Sequence, residues 1–339
     1  MSAILTELEL GVRYTWGGLD KQVIKRSHVF AANLIRKAVH YGEGDVVKFG
    51  IWTERQPAGT YSSYGRLPRV RRKAVKRGSI GWKHYASAVQ IDGPTLRGNI
   101  DVGIGALLRQ DSLKSLGRNK ANTLFSFIDE QMEEAISSLV FEIGTDIYGT
   151  GDGADGETLQ GQKTIIDTTA SYAGLAVGDV GTDDVDGLNR WSGHVDTNSG
   201  TNRSIGLEDV SAMLANLRRG TGEDDPEDIM VYMNNKVFNT FNLLLEGQHP
   251  QTNENLAKLG FKNVEYDFAT FVRDEMAPAN QMVFINHNSF WLGIRNSADF
   301  DFLGFQQEDD SVVGHVISDL ALICSDRHRQ GRIEDISTI

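Results

Sequence analysis

The longest periodic stretch of this chain is ANTLFSFIDEQMEEAISSLVFEIGTDIY, residues 121–148. Its apolar residues recur at spacings of three and four, which predicts one continuous helix with an apolar stripe. Asn122 is a suitable N-cap, and Gly149 lies where a C′ glycine belongs. A helix of this length is a rod of about 42 Å, over twice the usual length, so we expect it to brace a large structure. The stripe consists of Phe125, Ile128, Met132, Ile136, Leu139, Ile143 and Ile147.

Charge is distributed unevenly along the chain. Residues 55–109 contain eleven Lys and Arg against two acids, a local charge of +9, whereas the whole chain carries −12 and the remainder therefore −21. The polar face of the long helix is acidic, through Glu130, Glu133 and Glu134. This contrast suggests self-association, with the basic segment of one copy lying on the helix of the next. The bases assigned to this contact are Arg66, Arg69, Arg71, Arg72, Lys73, Lys76 and Arg77.

A simpler interpretation of the basic segment stays open. Charged side chains on an exposed strand edge prevent edge-to-edge aggregation, and these bases could serve only that purpose.

Length and composition indicate a folded chain that crosses no membrane. The 339 residues allow a large core and one or two domains. The N-terminus lacks the basic and apolar regions of a signal peptide, and no apolar run is long enough to span a bilayer. The single cysteine, Cys324, excludes an intrachain disulfide and a cysteine metal cluster. The acidic net charge argues against recognition of nucleic-acid sequence, because phosphate contact requires positive surface.

The first half of the chain also predicts shorter elements. An N-terminal arm contains a helical pattern from Val29 to Val39, with Ser27 as a plausible N-cap. Residues 46–104 are rich in β-branched and aromatic residues and predict strands around a long basic excursion. Residues 149–206 are rich in glycine, and TIIDT at 164–168 is the one strand expected there.

The second half alternates between helix and strand, and the fold class expected for the whole chain is α+β. LEDVSAMLANLRR and NNKVFNTFNLLLEG have helical apolar spacing, whereas DIMVYM, QMVFINH and SFWLGI read as buried strands. The tail returns to β structure with two strands, VVGHVI and LALICS.

Two glycine-rich motifs resemble nucleotide-binding loops but lack the required context. The G-x-G-x-x-G pattern at 151–156 follows a helix instead of a strand, so we interpret it as a turn. GETLQGQKT at 156–164 resembles a phosphate-binding loop, but Gln162 separates Gly161 from Lys163 and no helix is expected after it.

No other pattern predicts catalysis, a metal or a cofactor. The acids at 152–155 and 183–186 lack the alternate spacing of a calcium loop. The histidines lack zinc-binding spacings, and no nucleophile elbow is present. His315 and Cys324 lie in apolar strand patterns and are expected in the core. We therefore expect no enzyme.

The order of these parts resembles the major capsid protein of tailed bacteriophages, which has the Hong Kong 97-like fold. LEDVSAMLANLRRG followed by DIMVYMNNKVFNTF is similar to the family's paired helices around a central strand. LGFKNVEYDFATFVRDEMAPANQMVFINHNSFWLG and ICSDRHRQGRIEDI are similar to a later family passage and to its closing strand with an arginine near the end. The resemblance implies an N-terminal arm at 1–45, an extended E-loop hairpin with flanking strands at 46–104, a peripheral domain with a long spine helix at 105–150 and 311–339, a Gly-rich connector at 151–204 and an axial domain at 205–310.

The resemblance also implies a function. Hexamers and pentamers of the chain would form an icosahedral head shell that encloses double-stranded DNA without reading its sequence, in a virion assembled in the host cytoplasm. A portal and a decoration protein would be partners. The arm is shorter than the helical scaffold segment of many relatives, so scaffolding would come from a separate protein. Lys73, Lys76 and Lys83 are loop lysines, but no cross-linking partner is identified and none is predicted.

Two alternatives remain. The same fold serves as an encapsulin-like compartment for protein cargo. A β-rich hydrolase or glycan-binding protein is an alternative of a different class.

Overall fold

The computed structural model describes residues 28–42, 44–52, 75–99, 118–151, 157–181, 189–218, 228–245 and 263–338. Five bases of the predicted contact, Arg66, Arg69, Arg71, Arg72 and Lys73, lie outside these residues, as does the side chain of Phe125. Within the described part, no helix is both long and apolar enough to cross a membrane.

The described residues form six α-helices and thirteen strands. The helices are α1 Val29–Arg36, α2 Gly93–Asn99, α3 Arg118–Tyr148, α4 Gln162–Ile165, α5 Leu207–Arg218 and α6 Asn235–Leu245. The strands are β1 Val39–Tyr41, β2 Val46–Trp52, β3 Val75–Gly81, β4 Lys83–Asp92, β5 His194–Asp196, β6 Ile229–Met233, β7 Asn263–Tyr266, β8 Ala269–Arg273, β9 Met282–Asn286, β10 Phe290–Arg295, β11 Asp301–Glu308, β12 Ser311–Cys324 and β13 Gly331–Ile333.

The first sheet is built around the long strand β12. Strand β11 pairs antiparallel with the first half of β12, and β10 pairs antiparallel with its second half. Strand β1 pairs parallel with β10. Strand β4 pairs antiparallel with β12 from Ser311 to Leu320. Helix α3 packs against β4. Ile128, Met132 and Ile143 of α3 are buried in one core with Val316 and Leu320 of β12. The long helix therefore braces this sheet.

The second sheet has six strands in the order β5-β13-β9-β6-β8-β7. Its inner strands β13, β9, β6 and β8 are buried on both faces along nearly their whole length. Along β6, Val231 and Met233 face a core formed with α5 and α6, whereas Tyr232 lies in the core shared with α3. Burial on both faces explains the continuous apolar run that the sequence shows here. The two sheets thus share one core through the inner face of the second.

The apolar stripe of the long helix is confirmed for every member whose side chain is described. Helix α3 has 31 residues, a rod of about 46 Å. Ile128, Met132, Leu139, Ile143 and Ile147 are in the main core. Ile136 is also buried, but it packs with Val140 against α1.

Sheet membership changes inside segments that the sequence analysis treated as units. Strands β10 and β11 lie within 205–310 but pair with β12 in the first sheet. Strand β13 lies within 311–339 but pairs with β5 and β9 in the second sheet. Short connections join β10 to β11 and β11 to β12, and segments joined in this way usually lie side by side. These three strands therefore belong to one sheet, although β10 and β11 were assigned to a different part of the chain from β12.

Several local predictions are wrong. Helix α3 begins at Arg118, so Asn122 lies inside it and is not its N-cap. TIIDT at 164–168 is not a strand, because α4 and a bend occupy it. Helix α1 ends at Arg36, so Val39 is in β1. VVGHVI and LALICS form one continuous strand, β12, instead of two. His315 is exposed, because the first half of β12 alternates and turns Val312 and Val316 inward.

Candidate assembly surface

The basic segment is carried by a two-stranded ribbon. Strands β2 and β3 pair antiparallel from Val46 opposite Gly81 to Trp52 opposite Val75. The chain between them, 53–74, lies outside the described residues. Lys76 and Arg77 are the two predicted contact bases that the structure describes, and both are on β3.

These two bases differ in their surroundings. Arg77 is exposed, whereas Lys76 is half-buried and lies 3.5 Å from the Asp179 carboxylate of the same chain. Backbone donation from Ala176, followed by the charge of Lys76, lowers the pKa of Asp179. Lys76 therefore already has a partner within its own chain, and of these two Arg77 is the better placed to reach a neighbour.

The exposed face of α3 combines acids with one aromatic ring. Glu130, Glu133 and Glu134 are all exposed, as predicted from the stripe on the opposite face. Phe141 is on the same face as Glu130 and Glu134 and is 52% exposed. About 16 Å along the helix axis separates Phe141 from Glu130. Along this face of α3, three exposed acids are therefore followed by one exposed apolar ring.

Phe141 was missed by the sequence analysis, which assigned only acids to the polar face. The signal was present, because Phe141 lies between the stripe residues Leu139 and Ile143 and cannot share their face. In the structure its ring makes an edge contact with His28, with centroids 5.7 Å apart.

A buried carboxylate joins the end of α3 to the arm helix and the second sheet. Asp274 accepts hydrogen bonds from the Phe30 amide at 2.9 Å, the Tyr148 hydroxyl at 3.0 Å and the Met276 amide at 2.9 Å. Burial raises the pKa of Asp274, although all three donors favour its charged form. This residue connects α1, α3 and the loop after β8.

A second buried cluster connects α1 to the second sheet. Asn33 donates to the Tyr232 hydroxyl at 3.1 Å, and that hydroxyl lies 2.7 Å from His287 Nε2. Burial lowers the pKa of His287 to about 4, so the imidazole is neutral near pH 7. Together with Asp274, this cluster fixes the position of α1 against α3 and the second sheet.

The closing segment fixes the connector against the core. Arg327 is fully buried, and its guanidinium donates to the backbone oxygens of Ile165, Ala170, Thr164 and Asp167. These carbonyls belong to α4 and the turns after it, which explains why the β-branched TIIDT run is not extended.

The phosphate-loop resemblance fails in the structure as well. A short helix, α4, does contain Lys163, contrary to the expectation that no helix follows. However, a Cβ at Gly161 would lie 2.3 Å from the backbone oxygens of Asp146 and Gly149, and the Lys163 amide donates to Gly149. The chain's own carbonyls occupy the place that a phosphate would need. Among the described residues no group of three His, Cys, Asp or Glu is arranged to hold a metal.

Comparison with solved structures identifies the fold. The chain is similar to the capsid subunit of cyanophage A-1(L), with a TM-score of 0.64 and 15% identity over 92% of this chain and 94% of that one. It is similar to a capsid protein of a native GTA particle, with a TM-score of 0.54 and 12% identity over 91% of each chain. An encapsulin of Synechococcus elongatus gives a TM-score of 0.51 and 6% identity over 88% of this chain and 84% of that one.

No protein-family model matches the sequence, and no curated protein sequence matches it. At these identities the similarity establishes the fold alone, which is that of phage capsid proteins.

Proposed function

We propose that this chain is the major capsid protein of a tailed bacteriophage, the subunit of an icosahedral head that encloses double-stranded DNA. The observation that carries the proposal is the match to the cyanophage capsid subunit over more than nine tenths of both chains. At this coverage the similarity is not confined to one helix or one sheet of the chain.

The proposed intersubunit contact places the basic segment of one copy on the exposed face of α3 of the next. Seven bases lie between Arg66 and Arg77, without an acid among them. The receiving face has Glu130, Glu133 and Glu134, with exposed Phe141 on the same side. Charge complementarity selects the register of such an encounter, and an aromatic side chain supplies the apolar contact that exposed ion pairs lack.

Repetition of one head-to-tail contact produces rings when the rotation closes. Hexamers and pentamers of this kind would tile an icosahedral shell. Each exposed ion pair contributes only about 0–1 kcal/mol, but the many copies in a shell add through effective concentration. Weak single contacts also allow wrongly placed subunits to dissociate during assembly.

The proposal extends to partners and location. A separate scaffolding protein would direct assembly in the host cytoplasm, a portal would occupy one vertex, and a decoration protein could bind the finished virion. DNA would be enclosed without sequence recognition, because the net charge of −12 gives the duplex few sites to bind.

An encapsulin-like compartment for protein cargo is the second candidate, since the Synechococcus elongatus encapsulin has the same fold at a TM-score of 0.51. The cyanophage subunit matches better, at 0.64, and this difference favours a phage head.

Negative-stain microscopy of the purified full-length chain tests the proposal. We expect five- or six-membered rings, or closed shells, at raised protein concentration. A chain that stays monomeric at every protein and salt concentration would contradict it. Immunogold-labelled particles from the native source then separate the two candidates, because a phage head contains nuclease-resistant DNA and an encapsulin contains protein.

A further inference from the structure

The ribbon that carries the basic segment has too few strands to be rigid by itself. Two antiparallel strands are marginally stable in water, so the direction of the ribbon depends on what it packs against. One side is covered by the core, through Val47, Ile51 and Ile80. The free edge of β3 is held by a different element, a tight turn from the connector.

That turn consists of residues 172–175. Tyr172 and Leu175 exchange two backbone hydrogen bonds of 3.0 Å, and both central residues have positive φ, 54° at Ala173 and 74° at Gly174. This is the backbone of a two-residue hairpin turn, in which a residue with a Cβ such as Ala173 is unfavourable. Local strain of this kind persists only where surrounding contacts hold it.

The contacts that hold the turn also hold β3. The Ser79 amide donates to the Ala173 carbonyl at 3.0 Å. Gly78 leaves room for both the turn and the opposite strand, because a Cβ there would lie 2.9 Å from Phe49 Cζ and 3.2 Å from Ala173 Cβ. Four residues past the turn, Asp179 pairs with Lys76 of the same strand.

Hydrogen bonds to β12 fix the 172–175 turn to the first sheet. The Tyr172 hydroxyl donates to the Leu322 carbonyl at 2.8 Å and accepts from the Cys324 amide at 2.8 Å, both in β12. Trp191 donates to the Tyr172 carbonyl at 3.2 Å. A continuous series of contacts therefore runs from β12 through Tyr172 and the strained turn to β3.

We propose that the 172–175 turn is a seat that sets the direction in which the ribbon leaves the subunit, with Gly78 and Ala173 as its positioning residues. This inference rests on the proposed function, because the direction of the ribbon matters only if its basic tip contacts a neighbouring copy. A loosened seat would leave the subunit folded but would misdirect the tip.

Paired glycine substitutions on β3 test the seat. Gly78→Ala and Gly78→Val add side-chain atoms at the contact with Phe49 and Ala173. Gly81→Ala and Gly81→Val are matched controls on the same strand, because a Cβ at Gly81 has no atom within 4 Å. Hydrogen exchange of the Ser79 amide in the unassembled full-length chain reports the seat directly, urea unfolding reports the whole subunit, and microscopy reports assembly.

We expect Ser79 exchange to be about tenfold faster in Gly78→Val than in Gly81→Val, with Gly78→Ala intermediate. Urea midpoints should stay similar, while the Gly78 variants form open or irregular particles and the Gly81 variants form regular ones. If Gly78→Val does not fold, the Gly78→Ala and Gly81→Ala pair decides.

Unchanged exchange of the Ser79 amide in the Gly78 variants would contradict the proposed role of the 172–175 turn. Regular shells despite faster exchange would contradict it as well. If the wild-type chain forms no particles, the proposed function fails and the role of the seat in assembly fails with it. Faster Ser79 exchange would then identify the turn as a structural contact only.

Discussion

Arg327 is the residue on which the connector most depends. One planar guanidinium satisfies four backbone carbonyls in a fully buried site. Arg327→Lys keeps the charge but cannot reach all four oxygens, so buried carbonyls lose their donors. We expect a loss of about 3 kcal/mol or more in the free energy of unfolding, measured by urea denaturation. Arg329→Lys is the control, because Arg329 is partly exposed and pairs with the Asp326 carboxylate at 3.2 Å. An equal loss in both variants would contradict this account.

His287 makes stability depend on pH. Its pKa is about 4 in the folded chain, below the ordinary value of 6.5, because burial disfavours the charged ring. Its contribution is therefore complete above pH 6.5 and is lost as pH falls from 6.5 towards 4, amounting to about 3 kcal/mol. Urea unfolding of His287→Asn across this range should show a flatter acid slope than the wild type. An unchanged slope would mean that the ring is not buried in its neutral form.

Asp274 contributes a pH dependence of opposite sign. Burial raises its pKa in the folded chain, so its contribution is present below about pH 3.8, its ordinary value, and is lost as pH rises through the folded pKa. Asp274→Asn removes this ionisation. We expect the variant to lose stability less steeply than the wild type as pH rises from 4, and a parallel profile would argue against a raised pKa.

At the scale of elements, the spine helix depends on its apolar stripe. Ile143 is fully buried in the main core, and Ile143→Ala should cost about 2–5 kcal/mol in urea unfolding. Ile136→Asp places a charge between α3 and α1 and should give insoluble protein. Ser137→Ala, on the exposed face, should be close to neutral. Soluble, normally assembling Ile136→Asp would show that the stripe is not core.

The exposed face of the same helix should behave in the opposite way. Phe141→Ser removes a ring that is 52% exposed, so the subunit should keep its urea midpoint while particle formation falls several-fold. The loss should persist at high salt, since apolar contact is not weakened by ionic screening. Full assembly of Phe141→Ser would exclude the ring from the contact.

The elements that the sequence predicts well are those whose pattern is local. The stripe of α3 and the helices α5 and α6 follow from apolar residues spaced three or four positions apart, which is about one helical turn. Helix α4 could not be predicted, because Arg327, far along the chain, holds the carbonyls of Thr164 and Ile165. The seat at Ala173 was likewise hidden, since nothing near it in sequence indicates that β3 lies there.

At the scale of the whole molecule, the positive and negative charges are concentrated in different parts of the sequence. Residues 55–109 carry +9 in a chain of −12, and the described acids of the α3 face are exposed. Attraction between such surfaces on two copies speeds their encounter and selects their register. The screening length falls from about 10 Å at 0.1 M salt to about 3 Å at 1 M, so capsomer formation should slow as salt rises. The fold of the isolated subunit should change little, because burial of apolar surface maintains it.

Light scattering of assembly at several sodium chloride concentrations, with a charge swap, tests the central claim most directly. We expect the assembly rate to fall with salt, Glu130→Lys with Glu134→Lys to impair assembly, and Arg71→Glu with Arg72→Glu to restore part of it in that background. Rates that do not depend on salt, together with no rescue by the swap, would mean that the basic segment and the acidic face of the spine helix do not meet.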